Sequence, residues 1–500
     1  MEDSTMNDFY TILAESAAPG FERQARSLLV EEEAKLARIE SQLKMLLWTR
    51  DRQRARIAAL KYVVSPVRML PADVLLVIFK QAFWLGLGSF EPPSRLVLRL
   101  ASVCAYWRQL VISSPRLWAW AMKLNVSNIS PWYTEVTKTV FQRSSPHPLS
   151  ITMTCRDHKK PVSATVVKTV LSFAHRWSRI NVNFDLTPFL NAAPRPTLLE
   201  HLTFAKLALS QGAKGKESDI FLHAPKLFDL SISIGRLAKL PLPWSQLTKL
   251  ELTTYRPFTS SEFLATIEQC TSVSDLQVDS DGWEQGDDIS IPPHFVSLPR
   301  LRNLNLRMSG NLDPFFAHFT FPALSKLDVY LDWSVSFENS LRGPFSAFLG
   351  RCTALEELEI FGSEMNSETL DDILLNIPSV VDLQLICCFA CVDNAFFERL
   401  TYREMDANPP APRLEAINLE NVGDCYDEDV VVAMVRSRWW KDEVYNALPT
   451  PPGVARWKNI SISANDTDGA ELSDEFKAVM QDICAEGLNF DVYTYTRPSG

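Results

Sequence analysis

The sequence predicts an α/β repeat protein: a helical N-terminal arm and a small all-α module, followed by a solenoid with a parallel, concave sheet. Three observations support this prediction. Residues 21–62 contain neither glycine nor proline, two amphipathic helices follow, and one six-residue apolar pattern then recurs eleven times. The three signals differ in period, so they predict three different parts in this order along the chain.

Composition restricts the classes of function. The chain has 500 residues, 46% of them hydrophobic, and a net charge of −10. It is too long for one ordinary domain, and its charge argues against nucleic acid or an anionic membrane as partner. It has no leader-like N-terminus and no apolar stretch long enough to span a membrane. Nine scattered cysteines predict reduced thiols, and hence a cytoplasmic or nuclear protein.

The N-terminal arm is predicted to be one long helix. Residues 1–20 lack a period and are expected to form a disordered tail, whereas residues 21–64 follow a heptad pattern. Glu32, Arg50 and Gln53 interrupt its seam, so a coiled coil with self-association and a solvated single helix both remain open. The apolar seam positions are Leu29, Leu36, Ile39, Leu43, Leu46, Ile57 and Leu60.

Residues 65–122 predict a helical module. Pro71 and Asp73 suit a first helical turn, so a helix should start at about Ala72. A loop from Leu85 to Pro93 separates it from a second amphipathic helix that ends before Pro115. Two such helices cannot by themselves bury both apolar stripes. The module therefore needs another surface, which is either a partner or the rest of its own chain.

The order of these residues resembles an F-box over about fifty positions. Asp73 stands where the family usually has glutamate, and the insertion from Trp84 to Arg95 departs from the family pattern. The resemblance implies docking to a Skp-type adaptor and, through it, to a cullin-RING ubiquitin ligase. The residues to which it assigns adaptor binding are Leu70, Pro71, Val74, Leu75, Ile78, Phe79, Val103, Cys104, Trp107, Arg108, Leu117 and Trp118.

The recurrent pattern predicts an irregular leucine-rich-repeat solenoid over residues 145–465, with a C-terminal cap at residues 466–500. Each copy has an apolar anchor, two residues, an apolar residue, one residue and a further apolar residue. The anchors lie 20 to 43 residues apart, mostly within the range of leucine-rich repeats. They are Trp177, Leu199, Leu227, Leu247, Val273, Leu301, Leu324, Leu355, Val380, Leu414 and Trp457.

The exposed face of the predicted sheet is the candidate substrate surface. Its later copies carry many acidic residues, and residues 401–500 hold 18 acidic against 9 basic residues. We expect a basic or mixed-charge segment of an unknown protein substrate, although such charges also serve solubility alone. The candidate residues are Asp328, Glu356, Glu357, Glu359, Asp382, Gln384 and Glu415.

No motif for catalysis, phosphate binding or a cofactor occurs in the sequence. Cys388-x-x-Cys391 has redox or zinc spacing, but no second pair completes a site, so buried thiols and no metal are expected. The resemblance to an F-box implies a substrate-recognition subunit of an SCF-type ubiquitin ligase, and such a subunit needs no catalytic residue of its own. The alternatives are a repeat scaffold that does not direct ubiquitination and, less supported, a hydrolase whose site is assembled from distant residues.

Overall fold

The structure is a computed structural model. The predicted tail at residues 1–20, apart from Tyr10, and Cys425 lie outside the residues that it describes. The described residues are 10, 21–86, 93–119, 122–127, 130–155, 161–185, 199–209, 221–234, 241–254, 256–283, 295–310, 312–330, 342–362, 365–404, 408–423, 426–441, 445, 453–465 and 473–495.

The chain divides into two compact units, Met1–Leu85 and Gly86–Gly500. This boundary falls inside the module predicted at residues 65–122. In the first unit, helix α1 covers Phe21–Val63, a 3-10 turn covers Pro66–Met69, and helix α2 covers Ala72–Gly86. Helix α2 begins at the predicted residue, since Pro71 supplies the carbonyl that accepts from Leu75 N at 3.1 Å.

Helix α1 is a single uninterrupted helix because nothing in its sequence breaks the backbone hydrogen-bond ladder. Its side chains from residue 26 to residue 63 are all exposed. Leu46 is 67% exposed and Ile39 60% exposed. A helix with so many exposed apolar side chains lacks the tertiary packing that usually stabilises helices in water.

The second unit opens with three short helices: α3 (Pro93–Val103), α4 (Ala105–Ile112) and α5 (Pro115–Trp118). The sequence predicted one continuous helix up to Leu110, and this is corrected by the break at Cys104. Cys104 has extended backbone angles, and its sulfur accepts a hydrogen bond from Trp107 N at 3.4 Å. It therefore acts as the N-terminal cap of α4.

Fourteen strands of the described residues form one parallel sheet in sequence order. Its strands are β1 (Met122–Asn125), β2 (Leu149–Thr154), β3 (Trp177–Asp185), β4 (Phe204–Leu209), β5 (Asp229–Ile234), β6 (Lys249–Thr254), β7 (Asp275–Ser280), β8 (Asn303–Met308), β9 (Lys326–Tyr330), β10 (Glu357–Phe361), β11 (Asp382–Ile386), β12 (Ala416–Val422), β13 (Asn459–Asn465) and β14 (Asn489–Tyr495). The short segments Val296–Ser297 and Phe319–Thr320 pair separately.

The strand register follows the repeat pattern. Leu304, Leu327, Leu358 and Leu383, each three residues after its anchor, are neighbours on adjacent strands. All eleven anchors are at most 1% exposed. The predicted leucine-rich-repeat solenoid is therefore confirmed, because every repeat contributes the same positions to one continuous apolar core.

Helices cover the connections between strands. They are α6 (Pro131–Arg143), α7 (Ala164–Leu171), α8 (Ser260–Ile267), α9 (Asp313–His318), α10 (Arg342–Arg351), α11 (Ser367–Leu375), α12 (Asn394–Leu400), α13 (Glu428–Ser437) and α14 (Asp474–Ala485), with 3-10 turns at Ala174–Arg176 and Trp244–Gln246. Many begin at a side-chain cap: Asn366 Oδ1, for example, accepts from Thr369 N at 2.9 Å.

The strand ladder is longer than the solenoid predicted at residues 145–465. Strand β1 precedes it and strand β14 follows it. The C-terminal segment predicted as a cap therefore supplies both the helix α14 and a further strand. Strand β1 was missed because a four-residue strand carries no anchor of its own, and helix α3 packs against it.

Candidate functional site

Alternate residues of each strand point to opposite faces of the sheet. In β8 and β9 the second and fourth residues are buried, whereas the first, third and fifth retain exposure. Because the pairing is in register, these outward positions line up as rows that cross the strands. The rows of β8 to β12 form the candidate substrate face.

The row at the third strand position, here named the acceptor row, is rich in side-chain oxygens. Three of these oxygens, Asn305 Oδ1, Asp328 Oδ1 and Asn418 Oδ1, are buried and accept no hydrogen bond from the described part of the chain. An unfilled buried acceptor is costly within the fold, and these three oxygens are shielded from a partner. All five residues of the row are partly exposed, so a partner that supplies N–H or O–H donors would contact the accessible parts of the row. The acceptor row consists of Asn305, Asp328, Glu359, Gln384 and Asn418.

Lys326 is a cation among carboxylates. Its Nζ lies 3.0 Å from Glu357 Oε2 and 3.8 Å from Asp328 Oδ1. The hydrogen bond with Glu357 raises the pKa of Lys326, and the charges of Asp328, Glu357 and Glu359 raise it further. Lys326 therefore stays charged but balances only part of the surrounding negative charge.

The carboxylates of this cluster are held in an environment that disfavours their charge. Burial raises the pKa of Asp328, and the neighbouring Glu357 adds to the effect. Burial and the Asp328 charge raise the pKa of Glu359, and burial and Glu357 raise the pKa of Asp382. A cationic partner would relieve this repulsion.

The row at the fifth strand position, here named the aromatic row, borders the acceptor row. The guanidinium of Arg307 lies 4.0 Å from the ring centroid of Tyr330, and the rings of Tyr330 and Phe361 are 5.1 Å apart. Tyr330 also donates its hydroxyl to Glu359 Oε1 at 3.4 Å. Ile386 continues the row. An apolar strip thus lies beside an acidic one, which suits a partner segment with both basic and apolar side chains.

The structure brings together only part of the predicted substrate face. Asp328, Glu357, Glu359, Asp382 and Gln384 lie in adjacent positions of neighbouring rows. By contrast, Glu356 and Glu415 precede their strands.

Glu415 is already occupied, because it forms an ion pair with Lys458 at 2.5 Å. Sequence reasoning missed Lys326, Tyr330 and Phe361. Their distance in sequence from the repeat anchors could have identified them, because it places Lys326 at the first strand position and Tyr330 and Phe361 at the fifth.

The twelve residues of the docking motif differ widely in exposure. Pro71, Val74, Ile78, Val103 and Arg108 are exposed, and Leu70, Cys104 and Trp107 are partly buried. The buried ones are Leu75, Phe79, Leu117 and Trp118.

The buried residues have structural contacts of their own. Trp118 Nε1 donates to Val111 O at 2.8 Å, and the Arg143 guanidinium lies 4.8 Å from its ring centroid. In the first unit, Leu75 is 0% and Phe79 1% exposed. These four side chains are therefore suited to positioning the helices rather than to contacting a partner.

Helix α2 nevertheless has an exposed apolar face. Val74 is 39% exposed, Val77 63% and Ile78 45%. Met69, just before the helix, is 85% exposed. Among these, Val77 and Met69 were not singled out by the sequence motif. In the second unit, helices α3 and α4 carry the exposed apolar side chains Leu98, Val103, Tyr106 and Ile112.

The eight described cysteines lie neither in disulfides nor in a group of side chains that could hold a metal. Cys388 and Cys391 are fully buried, and a hydrogen bond with Cys388 together with burial raises the pKa of the Cys391 thiol. None of the eight described cysteines forms a disulfide. No group of acidic, histidine or cysteine side chains that could hold a metal occurs in the described ranges. Within the same ranges, no helix has the length and apolarity needed to cross a bilayer.

The repeat geometry defines the class of protein: a leucine-rich-repeat solenoid preceded by a helical region. The sequence matches no protein-family model and no curated protein.

Two solved structures give weak overall superpositions. The Rad7 and Elc1 complex in yeast has 14% identity, covers 88% of this chain and 97% of that chain, and has a TM-score of 0.37. The leucine-rich repeat-containing protein LegL7 from Legionella pneumophila has 13% identity and a TM-score of 0.32, and the match covers 73% of this chain and 98% of that chain.

Proposed function

We propose that this protein is the substrate-recognition subunit of an SCF-type cullin-RING ubiquitin ligase. The exposed apolar face of helix α2, within the sequence that resembles an F-box, carries the proposal. Val74, Val77 and Ile78 lie on one side of a helix, as expected for a helix that docks into an apolar groove. Each such side chain contributes up to about 1.5–3 kcal/mol when fully buried. The partner is a Skp-type adaptor, and the chain itself is non-catalytic.

Adaptor binding tests this function directly. A Val77→Glu/Ile78→Glu variant places two charges on the exposed face without disturbing the buried Leu75, so it is expected to fold. Trp132→Glu is a matched control, because Trp132 is an exposed apolar residue, 68% exposed, on helix α6. We expect a recombinant Skp-type adaptor to bind the wild type and the control but not the double variant. Equal binding by all three proteins would exclude this docking face, and no binding by the wild type would exclude the function.

In this function the acceptor row and the aromatic row receive the substrate. Partly exposed acceptor side chains, an excess of carboxylates and an adjoining aromatic strip fit an extended segment that carries lysine or arginine beside apolar residues. The segment brings its protein close to the ligase, which raises effective concentration rather than lowering a chemical barrier. Cytoplasm or nucleus is the location consistent with this role and with eight described cysteines that form no disulfide.

Peptide binding tests the substrate face independently of the adaptor. The probes are three unstructured fluorescent peptides of equal length: one with lysine and phenylalanine, one with glutamate for lysine, and one with serine for phenylalanine. We expect only the first to bind well. Asp328→Asn/Glu359→Gln should weaken its binding by at least about tenfold, because a hydrogen bond to a charged group contributes roughly 1.5–3 kcal/mol.

The matched control, Glu475→Gln/Asp482→Asn, removes two exposed carboxylates from helix α14. This control should leave peptide affinity unchanged. If all three peptides bind alike, or the control weakens binding as much as the cluster variant, the attraction is to the overall negative charge and not to this face.

A further inference from the structure

We propose that helix α1 pairs with the same helix of a second copy of the chain, in antiparallel orientation. The first observation is exposure. Seven seam residues of its heptad pattern are 45% to 67% exposed, and they lie along one 43-residue helix. These residues are Leu29, Leu36, Ile39, Leu43, Leu46, Ile57 and Leu60.

The second observation is the distribution of charge along the helix. Residues 28–42 hold four acidic and two basic residues, whereas residues 47–61 hold one acidic and five basic residues. In a parallel pair each half lies beside the half of like charge. In an antiparallel pair the acidic half of each copy lies beside the basic half of the other. Charge complementarity therefore selects the antiparallel arrangement.

The polar residues within the seam lead to the same choice. A parallel, in-register pair would set Arg50 against Arg50 and Glu32 against Glu32 in the apolar seam. An antiparallel pair centred between Leu43 and Leu46 sets Arg50 against Ile39 instead. By the same symmetry Glu32 faces Ile57 and Gln53 faces Leu36. The flexible stem of Arg50 can cover an apolar neighbour while its charge reaches water.

Local contacts on the helix leave this pairing available. Lys35 lies 3.0 Å from Glu31 and 2.7 Å from Glu32, and the Arg52 guanidinium lies 5.5 Å from the Trp48 ring centroid. These contacts are made between exposed side chains and are weak in water. They leave the apolar seam positions uncovered within the described residues.

Sedimentation of the 500-residue chain tests the association. We expect a mass of twice 56.6 kDa at micromolar concentration. Leu46→Glu should weaken the dimer by roughly tenfold or more. Met45→Glu is the matched control, because Met45 is 62% exposed but lies outside the seam, and it should leave the mass unchanged. A monomeric wild type, or equal loss in both variants, would overturn the proposal.

Cysteine cross-linking tests the orientation. Leu29→Cys and Leu60→Cys proteins are oxidised separately and as a mixture. Antiparallel pairing predicts a disulfide between the two variants in the mixture and little cross-linking of either variant alone. Cross-linking of Leu29→Cys protein to itself would show a parallel pair and refute the charge argument. Wild type serves as the control for the native thiols.

Discussion

Lys326 and Asp328 are expected to affect stability in opposite directions. Replacing Asp328 with asparagine should raise the free energy of unfolding at pH 7, because burial raises the pKa of this carboxyl and so opposes its ionised form. Replacing Lys326 with methionine should lower the free energy of unfolding, because the hydrogen bond with Glu357 favours the charged amine in the folded chain. The two residues are 3.8 Å apart, yet we expect only Lys326 to stabilise the fold.

The expected magnitudes follow from the geometry. At 3.0 Å from Glu357 and 3.8 Å from Asp328, Coulomb's law with the dielectric of water gives roughly 1.4 and 1.1 kcal/mol. The Lys326 side chain is 38% exposed and that of Glu357 is 51% exposed, so solvent screening and side-chain entropy reduce the total. We expect a loss of about 1 kcal/mol for Lys326→Met and a gain of a few tenths of a kcal/mol for Asp328→Asn.

The pH dependence has a defined sign. A carboxyl whose pKa rises on folding is penalised above its folded pKa, and the penalty is gone below its unfolded value near 3.8. The gain from Asp328→Asn should therefore shrink as the pH falls from 7 toward 4. The stability contributed by Lys326 is present below its ordinary pKa of 10.5 and is lost as the pH rises through its raised folded value.

Urea unfolding at pH 7 and pH 5 measures these changes, with hydrogen exchange of strands β9 and β10 as the local readout, because long repeat arrays can unfold in steps. The matched control is Asp482→Asn, at an exposed carboxyl of helix α14, which should change stability by less than about 0.5 kcal/mol. If Asp328→Asn lowered stability at pH 7, the cluster would be a stabilising salt-bridge network and not an unbalanced acidic surface.

Three further outcomes are expected. Gly282→Ala should lower the free energy of unfolding by about 1–3 kcal/mol, because φ is +97° and a Cβ would overlap a backbone carbonyl oxygen. Gly343 has open space around it, so Gly343→Ala should be neutral or mildly stabilising in the same urea unfolding assay. Phe315→Ala should cost roughly 3–5 kcal/mol in the same assay, because its ring is 1% exposed and stacks on Phe319 at 4.6 Å; a loss below 1 kcal/mol would contradict this packing. Burial raises the pKa of the Cys270 thiol to about 12, so iodoacetamide should not alkylate it in the native protein. The partly exposed Cys484 should react, and mass spectrometry distinguishes the two sites. Equal labelling of both cysteines would contradict the burial of Cys270.

The repeats can be predicted well from the sequence, because each anchor is a buried residue and also fixes which residues of neighbouring strands pair. The strand β14 escaped detection for a physical reason. The position that corresponds to its anchor is Gly487, with φ of +110°, and the apolar side chain that fills the core is the next residue, Leu488. A turn that needs positive φ displaced the pattern by one residue.

The site was predicted less completely than the fold. Residue type alone points to the acidic side chains, whereas the offset from each anchor determines which side chains are neighbours across strands. That offset would have selected Lys326, Tyr330 and Phe361 with them. Burial of Leu75 and Phe79, the break at Cys104 and the raised pKa values depend on tertiary packing, which a single sequence pattern does not report.

Because helix α3 packs on strand β1, the parallel sheet sets a defined distance between this helix and the acidic cluster. Eight strand-to-strand steps separate β1 from β9, which carries Lys326 and Asp328. At about 4.8 Å per step, this amounts to roughly 40 Å along the sheet. Removing one whole repeat would move the acidic cluster by about one step relative to helix α3 and leave both surfaces intact. In such a protein the number of repeats governs where a bound target is presented, while the strand faces govern which target is bound.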